Sequence, residues 1–76
     1  MREIIEYLAK RLVDDPDAVR VEEVERDGAV ILQLHVAPDD VGKVIGRQGR
    51  IARALRTIVR ASAARREQRV LLEIVE

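Results

Sequence analysis

The sequence contains no cysteine, tryptophan or phenylalanine, and it has one tyrosine and one histidine. Without cysteine the chain has neither disulfide bonds nor thiolate metal ligands, and a single histidine makes a zinc site a poor fit. No apolar run approaches the length of a membrane span, and the chain begins with charged residues where a secretory signal would be apolar. These absences predict a protein of the cytoplasm with no metal or other cofactor.

Catalytic side chains are also scarce. His35 has no serine or cysteine nucleophile in an activating motif, and no paired carboxylates stand at a spacing typical of acid–base catalysis. Asp14, Asp15 and Asp17 surround a proline, lack the spacing of a metal-binding loop, and are typical of a turn. We therefore expect no enzymatic activity.

The charges are unevenly distributed along the chain, although the formal net charge is zero. Residues 1–40 carry 5 basic and 11 acidic side chains, whereas residues 41–69 carry 9 basic side chains and one acidic one. Because surface charges are screened over about 8 Å at physiological salt, local charge matters more than the total. The basic segment would attract a polyanion; the alternative is an ordinary solvated helix face.

Residue patterns in the first half predict a helix over residues 2–13 and two strands over residues 19–26 and 29–37. Apolar residues recur at helical spacing in the first segment and alternate with polar residues in the last. Asp27-Gly28, between the strands, is a strong signal for a tight hairpin turn.

Two positions in this half stand out from the pattern. Val24 falls on the opposite face of its strand from Val19 and Val21, which either a bulge near Glu22-Glu23 or an exposed valine would explain. Tyr7, the sole aromatic residue, lies in the first helix, where we expect it to pack against its neighbours.

The second half predicts a short helix over residues 39–45, a long helix over residues 50–65 and a strand over residues 70–75. Pro38-Asp39-Asp40 favours a helix start, because carboxylates stabilise the positive end of a helix. The long helix has an apolar face and a basic face. The apolar face holds Ile51, Leu55, Ile58, Val59 and Ser62, and the basic face holds Arg50, Arg53, Arg56 and Arg60.

The resulting order of elements is α-β-β-α-α-β, with no linker, repeat or low-complexity segment. It predicts a single α+β domain over residues 1–76, in which a three-stranded sheet is packed on one side by three helices.

The most informative segment, Val44-Ile45-Gly46-Arg47-Gln48-Gly49-Arg50-Ile51, joins the two C-terminal helices. Gly46 and Gly49 have no Cβ, so the backbone can turn tightly there and approach a ligand closely. The first N–H groups of the following helix have no helical partner and favour an anion such as phosphate. Arg47 adds a cation and Gln48 a hydrogen-bonding side chain. The segment therefore predicts a small RNA-binding module.

A helix, Gly-x-x-Gly, a helix and a strand, in this order, resemble the KH domain. The helix and strand that precede this core, and the strand that closes the chain, resemble the bacterial type II arrangement. The run from Val41 to Arg50 is similar to the small stand-alone bacterial KH proteins of the KhpA type. The chain departs from the general KH pattern at Ala52, where a large aliphatic residue is usual, so we expect shifted helix packing near the loop.

The resemblance implies that about four nucleotides of single-stranded RNA lie across the loop, with the bases in an apolar groove. The strand near Val70 and Leu71 would form the far wall, and Ile51 would line the groove or join the core. The implied RNA-binding residues are Gly42, Lys43, Val44, Ile45, Gly46, Arg47, Gln48, Gly49, Arg50 and Arg53.

The resemblance also implies a cytoplasmic RNA chaperone or post-transcriptional regulator. It implies as well that the protein pairs with a second copy of itself or with a larger, Jag-type KH-containing RNA-binding protein. Stacking of a base on an aromatic ring is worth about 1–3 kcal/mol, and no ring lies near this loop, so one module should bind RNA weakly. Pairing is the usual way for a weak module to gain affinity.

Three alternatives stay open at this level. The fold could serve as a protein-interaction or assembly module with little RNA binding, although a purely structural loop has no need of Arg47. Single-stranded DNA could replace RNA, because no residue indicates that a 2′-hydroxyl is read. Arg65-Arg66 could bind phosphate or stabilise the negative end of the long helix.

Overall fold

The computed structural model describes residues 1–76 and confirms the predicted order of elements. The helices and strands are α1 (Arg2–Leu12), β1 (Arg20–Arg26), β2 (Ala29–His35), α2 (Val41–Ile45), α3 (Arg50–Arg65) and β3 (Val70–Ile74). No helix is both long and apolar enough to cross a membrane.

The predicted boundaries around Pro38 need correction. β2 ends at His35 and not at residue 37, and a separate 3-10 turn, Pro38–Asp40, precedes α2. Proline has no N–H to donate to a strand, and it disfavours helical geometry in the residue before it. Ala37 accordingly adopts an extended conformation, with φ −59° and ψ 145°.

The sheet contains three strands in the order β1-β2-β3. β1 and β2 are antiparallel, and Asp27 and Gly28 between them have φ values of 52° and 79°. Two successive positive φ values are typical of a type I′ turn, so the hairpin prediction is confirmed. β2 and β3 are parallel. Because parallel neighbours need a long crossover, α2, the glycine-containing loop and α3 together form that connection.

The three helices cover one face of the sheet, as predicted. α1 lies over β1, and α3 lies over β3 and against α2. The buried side chains between helices and sheet form one core of 12 residues: Ile5, Ala9, Val19, Val21, Leu32, Leu34, Val44, Leu55, Val59, Ala63, Val70 and Leu72.

The long helix meets the core through a stripe that differs from the predicted apolar face. Its buried residues are Ala52, Leu55, Val59 and Ala63, whereas Ile51 and Ile58 are half-buried at the margin. Ala52 and Ala63, near the two ends of the helix, are 4% and 5% exposed.

The structure answers the two questions that the sequence left open in the first half, on Val24 and on Tyr7. β1 has no bulge, because its seven residues pair one to one with β2, and Val24 is half-buried on the face that no helix covers. The expected packing of Tyr7 is wrong: the residue is 62% exposed. α1 directs Ile5 and Ala9 into the core, and at 100° per residue Tyr7 lies on the opposite side of the helix.

Asp40 is the one buried charged side chain, with 2% of its surface exposed. Its carboxylate accepts a hydrogen bond of 3.0 Å from the main-chain N–H of Asp15. Lys43 Nζ lies 3.4 Å from Asp40 and 3.1 Å from Asp14. This network ties the turn after α1 to the start of α2.

Burial acts to raise the pKa of Asp40, but the N–H groups of Asp15 and Asp14 and the ammonium group of Lys43 outweigh it. The pKa of Asp40 is therefore lowered from its ordinary value of 3.8. Because the pKa is lower in the folded than in the unfolded chain, the stabilisation is complete above that ordinary value and is lost as the pH falls through the folded pKa.

Asp40→Asn keeps the shape of the side chain and removes its charge. We expect the midpoint of thermal unfolding at neutral pH to fall by about 5 °C, the response of a small domain to losing one such interaction. The native protein and the variant should converge as the pH falls through the folded pKa of Asp40, because protonation removes the same charge from the native protein. Circular dichroism melts across this range measure both effects.

Asp39→Asn is the matched control, since Asp39 is an exposed neighbour with the same charge. It should leave the melting midpoint almost unchanged. A difference between native protein and Asp40→Asn that stays constant across the pH range would contradict the proposed role of the carboxylate.

Candidate functional site

Left-handed backbone conformations shape the loop between α2 and α3. Gly46 has φ 78° and ψ 174°. Gln48 follows with φ 57° and ψ 26°, and Gly49 with φ 73° and ψ 17°. These residues turn the chain sharply through the 3-10 turn Arg47–Gly49 and into α3. The turn leaves the side chains of Arg47 and Gln48 exposed at its tip.

Gly46 is required for a second reason, which is its contact with α3. A Cβ atom at this position would lie 2.7 Å from Cγ1 of Ile51, well inside van der Waals contact. Ile51 is half-buried and packs against the core, so it joins the core and covers the loop backbone at once. At Gly42 and Gly49, by contrast, a Cβ would meet no atom within 4 Å.

The N-terminal end of α3 has no cap from a side chain. Gly49 occupies the capping position, and the first turn holds no acidic residue. The N–H of Arg50 donates to the carbonyl of Arg47 within the turn, and the positive end of the helix favours an anion beside it. Arg47, Arg50 and Arg53 are exposed around this end, and none of them forms an ion pair within the chain.

The structure separates the other predicted site residues into three environments. Lys43 is held by Asp14 and then by Asp40, which together raise its pKa and neutralise its charge locally. Val44 is completely buried, so its side chain supports α2 from within the core. Gly42 is exposed and Ile45 half-buried, and these two residues remain at the surface.

A groove lies between α3 and the free edge of β3. The carbonyl of Arg69 accepts a hydrogen bond from Val30, and the N–H of Val75 donates one to Leu34. In a parallel ladder alternate residues point their main-chain groups to the same side, so Val70, Leu72 and Ile74 direct theirs to the free edge. The groove is lined by Arg56, Val59, Arg60, Val70, Leu71 and Leu72.

Arg56 crosses this groove and is a residue that sequence reasoning did not assign to the site. Its Nε donates a hydrogen bond of 3.4 Å to the carbonyl of Leu72. The only sequence signal was its place on the basic face of α3, between Arg53 and Arg60. Which main-chain carbonyl it would meet depends on a strand 16 positions further along the chain.

Arg65 and Arg66 lie at the far end of α3. The helix has 16 residues, so its two ends are about 24 Å apart. These two arginines therefore do not belong to the cluster around the loop. No group of three or more His, Cys, Asp or Glu side chains is placed to hold a metal ion.

The chain matches the family model described as "KhpA/KhpB, KH domain" over residues 2–74. A Clostridium acetobutylicum protein named RNA-binding protein KhpA is 52% identical over 75 residues, which cover 99% of this chain and 100% of that protein. The Aquifex aeolicus protein of the same name is 53% identical over 76 residues, covering 100% of this chain and 96% of that protein. The Treponema pallidum protein of that name is 54% identical over 74 residues, with coverage of 97% and 92%. No solved structure matches the chain.

Gly46→Ala tests the contact that fixes the loop. The new methyl group would overlap Ile51, and the residue would have to keep a φ of 78°. We expect the free energy of unfolding to fall by at least about 1–3 kcal/mol, the usual cost of one strained backbone residue. Urea unfolding followed by circular dichroism measures this loss.

Gly42→Ala is the matched control, because its new Cβ has open space and a helical backbone. It should be neutral or stabilising by up to about 1 kcal/mol, since alanine restricts the unfolded chain more than glycine does. Equal unfolding free energies for the two alanine variants would show that the contact with Ile51 places no constraint on the loop.

Proposed function

This chain belongs to the KhpA/KhpB family of KH domains, and we propose that it binds single-stranded RNA across the loop Gly46-Arg47-Gln48-Gly49. The proposal takes residues 1–76 as one KH domain of type II. The observation that carries it is the combination at one place of an uncapped helix N-terminus, two glycines with positive φ and an unpaired arginine. Relatives that share about half of its residues carry the name RNA-binding protein KhpA.

The loop would hold the RNA backbone rather than the bases. The N–H groups at the start of α3 donate to one phosphate, and Arg47 contributes a charge-assisted bond. Gln48 offers an amide to a neighbouring sugar or phosphate oxygen. Arg50, the first residue of the helix, and Arg53, about one turn further on, reach the next phosphates along the strand. These contacts are independent of base identity.

The bases would then lie in the groove between the helices and β3. Gly42 and Ile45, at the surface of α2, would form the near wall, and the completely buried Val44 would support that helix from inside. The free main-chain groups of Val70 and the N–H of Leu72 would be available to base edges at the far wall, whereas the carbonyl of Leu72 already accepts a hydrogen bond from Arg56. Lys43, already paired with Asp14 and Asp40, contributes mainly by holding α2 in place.

Affinity should be modest, because the groove offers no aromatic ring for stacking. A single module is expected to bind with a dissociation constant in the micromolar range or above. We infer that the protein works in the cytoplasm as an RNA chaperone or post-transcriptional regulator. It would reach useful affinity by pairing with a second copy or with a larger KH-containing RNA-binding protein.

A second candidate function is an assembly module with little RNA binding of its own. The observation that favours it is the face of the sheet that no helix covers, where Leu71 is 50% exposed. The two functions are compatible, because this face lies on the other side of the sheet from the loop.

The loop variant Arg47→Asp/Gln48→Asp tests RNA binding directly. Fluorescence anisotropy with a labelled single-stranded RNA of about ten nucleotides, at two salt concentrations, measures the dissociation constant. We expect the native protein to bind more weakly at the higher salt concentration. The double variant should bind at least about tenfold more weakly, because carboxylates replace the cation and the amide beside the phosphates.

Arg2→Asp is the control for the arginine reversal, and it supplies two of the three negative charge units that the loop variant adds. It makes the same Arg→Asp change at an exposed position in the first turn of α1, where an acidic residue stabilises the helix. RNA binding should stay within about twofold of native. If the loop variant binds as well as Arg2→Asp, or if the native protein binds no RNA, the assembly function takes the place of the RNA-binding one. A single-stranded DNA of the same sequence shows whether the 2′-hydroxyl contributes.

A further inference from the structure

Three adjoining surface cavities follow β3 from the groove beside α3 to the hairpin of β1 and β2. The groove has a volume of about 100 Å³, and Arg60, Val70 and Leu71 are among the residues that line it. These three residues also line a second cavity of about 320 Å³, beside the last turns of α3. Arg69 and Leu71 then line a third cavity, of about 220 Å³, which extends to Arg26 of β1. Shared lining residues therefore join the three cavities into one path, here called the β3 track.

The β3 track leads away from the Gly46–Gly49 loop. α3 begins at this loop, and Arg60 lies ten residues beyond Arg50, which is about 15 Å along the helix axis. β3 runs back along α3 toward the loop, since Leu72 is bonded to Arg56 whereas Val70 lies beside the last turns of the helix. A strand that is held at the loop and continues along the groove would therefore enter the β3 track.

The track passes around the free edge of β3 onto the face of the sheet that no helix covers. Val70 and Leu71 are consecutive in β3, so their side chains point to opposite faces. Val70 belongs to the core beneath the helices, whereas Leu71 is 50% exposed on the uncovered face. There Leu71 is aligned with Ile31, which lines the third cavity. Because β3 is an edge strand, no further strand blocks this route.

Unpaired arginines line the whole length of the track. Arg56 and Arg60 come from α3, Arg69 directly precedes β3, and Arg26 ends β1. All four side chains are exposed, and none forms an ion pair within the chain. Asp27, in the hairpin turn, is the only carboxylate in the lining of the three cavities. A succession of free cations along a surface is the electrostatic footprint of a binding site for a polyanion.

Leu71 is the one residue that lines all three cavities. Half of its surface is exposed, and the arginines of the track lie on either side of it along the path. An exposed apolar side chain among cations suits a nucleotide, because a base can pack on the leucine while the arginines bind its phosphates. A free phosphate would make no use of the apolar surface. Continuity with the groove favours a nucleic acid strand over an acidic peptide.

We propose that the β3 track binds the continuation of the single-stranded RNA whose backbone is held at the Gly46–Gly49 loop. Arg60 and Arg69 bind successive phosphates, and Leu71 packs against a base between them. Arg26 binds a phosphate at the end of the track. These contacts do not depend on base identity, so the track adds affinity and length to the site without adding sequence preference. This inference rests on the proposed function, since the strand enters the track from the groove.

The length of the RNA is the first test, made on the native full chain. The loop and groove of a KH domain hold about four nucleotides, so labelled uridine oligomers of about four and about twelve nucleotides separate the groove from the track. Anisotropy titrations between about 50 and 200 mM salt give the dependence of the logarithm of the affinity on the logarithm of the salt concentration. Each phosphate contact on a single strand contributes about 0.7 to this slope, so three further contacts should steepen it by about 2 for the longer RNA.

Arg69→Gln removes one cation of the track and keeps a polar side chain. It should weaken binding of the longer RNA by about threefold or more, lower its salt slope by about 0.7, and leave the shorter RNA unaffected. Arg26→Gln should act in the same way, because it removes the cation at the end of the track. Arg2→Gln is the matched control, since Arg2 is an exposed arginine of α1 outside the track, and it should change neither RNA.

The results separate the track from the loop. Equal salt slopes for the two RNAs, or an Arg69→Gln variant that behaves like Arg2→Gln, would overturn the track and leave the loop in place. A native protein that binds neither RNA would overturn the proposed function and the track with it. If Arg69→Gln lowered self-association in sedimentation experiments without changing RNA binding, this surface would belong to protein assembly, which would also overturn the track.

Discussion

The close approach of Ile51 to the backbone of Gly46 is the contact on which the site depends. Ile51 packs against the core with one side and covers the loop with the other. The conformation of an exposed loop is thereby coupled to the burial of apolar side chains beneath it. Arg47 and Gln48 stand at the tip of a loop that the core holds in shape, so little conformational freedom is left to lose when a ligand binds.

The distribution of ion pairs explains why a chain of zero net charge has a basic end. Asp14 and Asp40, which lie in two separate turns, both form ion pairs with Lys43. Asp40 also accepts a hydrogen bond from the main-chain N–H of Asp15. The arginines around the start of α3 have no such partners. The acidic first half of the sequence therefore stabilises the fold beside α2 without neutralising the cations at the loop, and a net charge of zero coexists with a basic end.

Local sequence patterns were enough to predict most of the fold and the position of the site. The hairpin at Asp27-Gly28, the two amphipathic helices and the glycine pair each depend on residues close in sequence, so spacing alone predicted them. Features decided by distant partners escaped prediction. Nothing near Lys43 in sequence identifies Asp14 as its partner, and nothing near Arg56 identifies the carbonyl of Leu72. The burial of Val44 and the exposure of Tyr7 depend on how each helix is rotated against the sheet.

The parallel pairing of β2 with β3 has a consequence for motion. The hairpin of β1 and β2 closes locally, whereas β3 can join the sheet only after the whole crossover has formed, which costs more chain entropy. β3 is also an edge strand, held by a single neighbour. Its detachment should rank among the cheapest partial openings of the native state, and its amide protons should exchange with solvent early. The strand that forms one wall of the groove, β3, is thus expected to open transiently more often than the hairpin of β1 and β2.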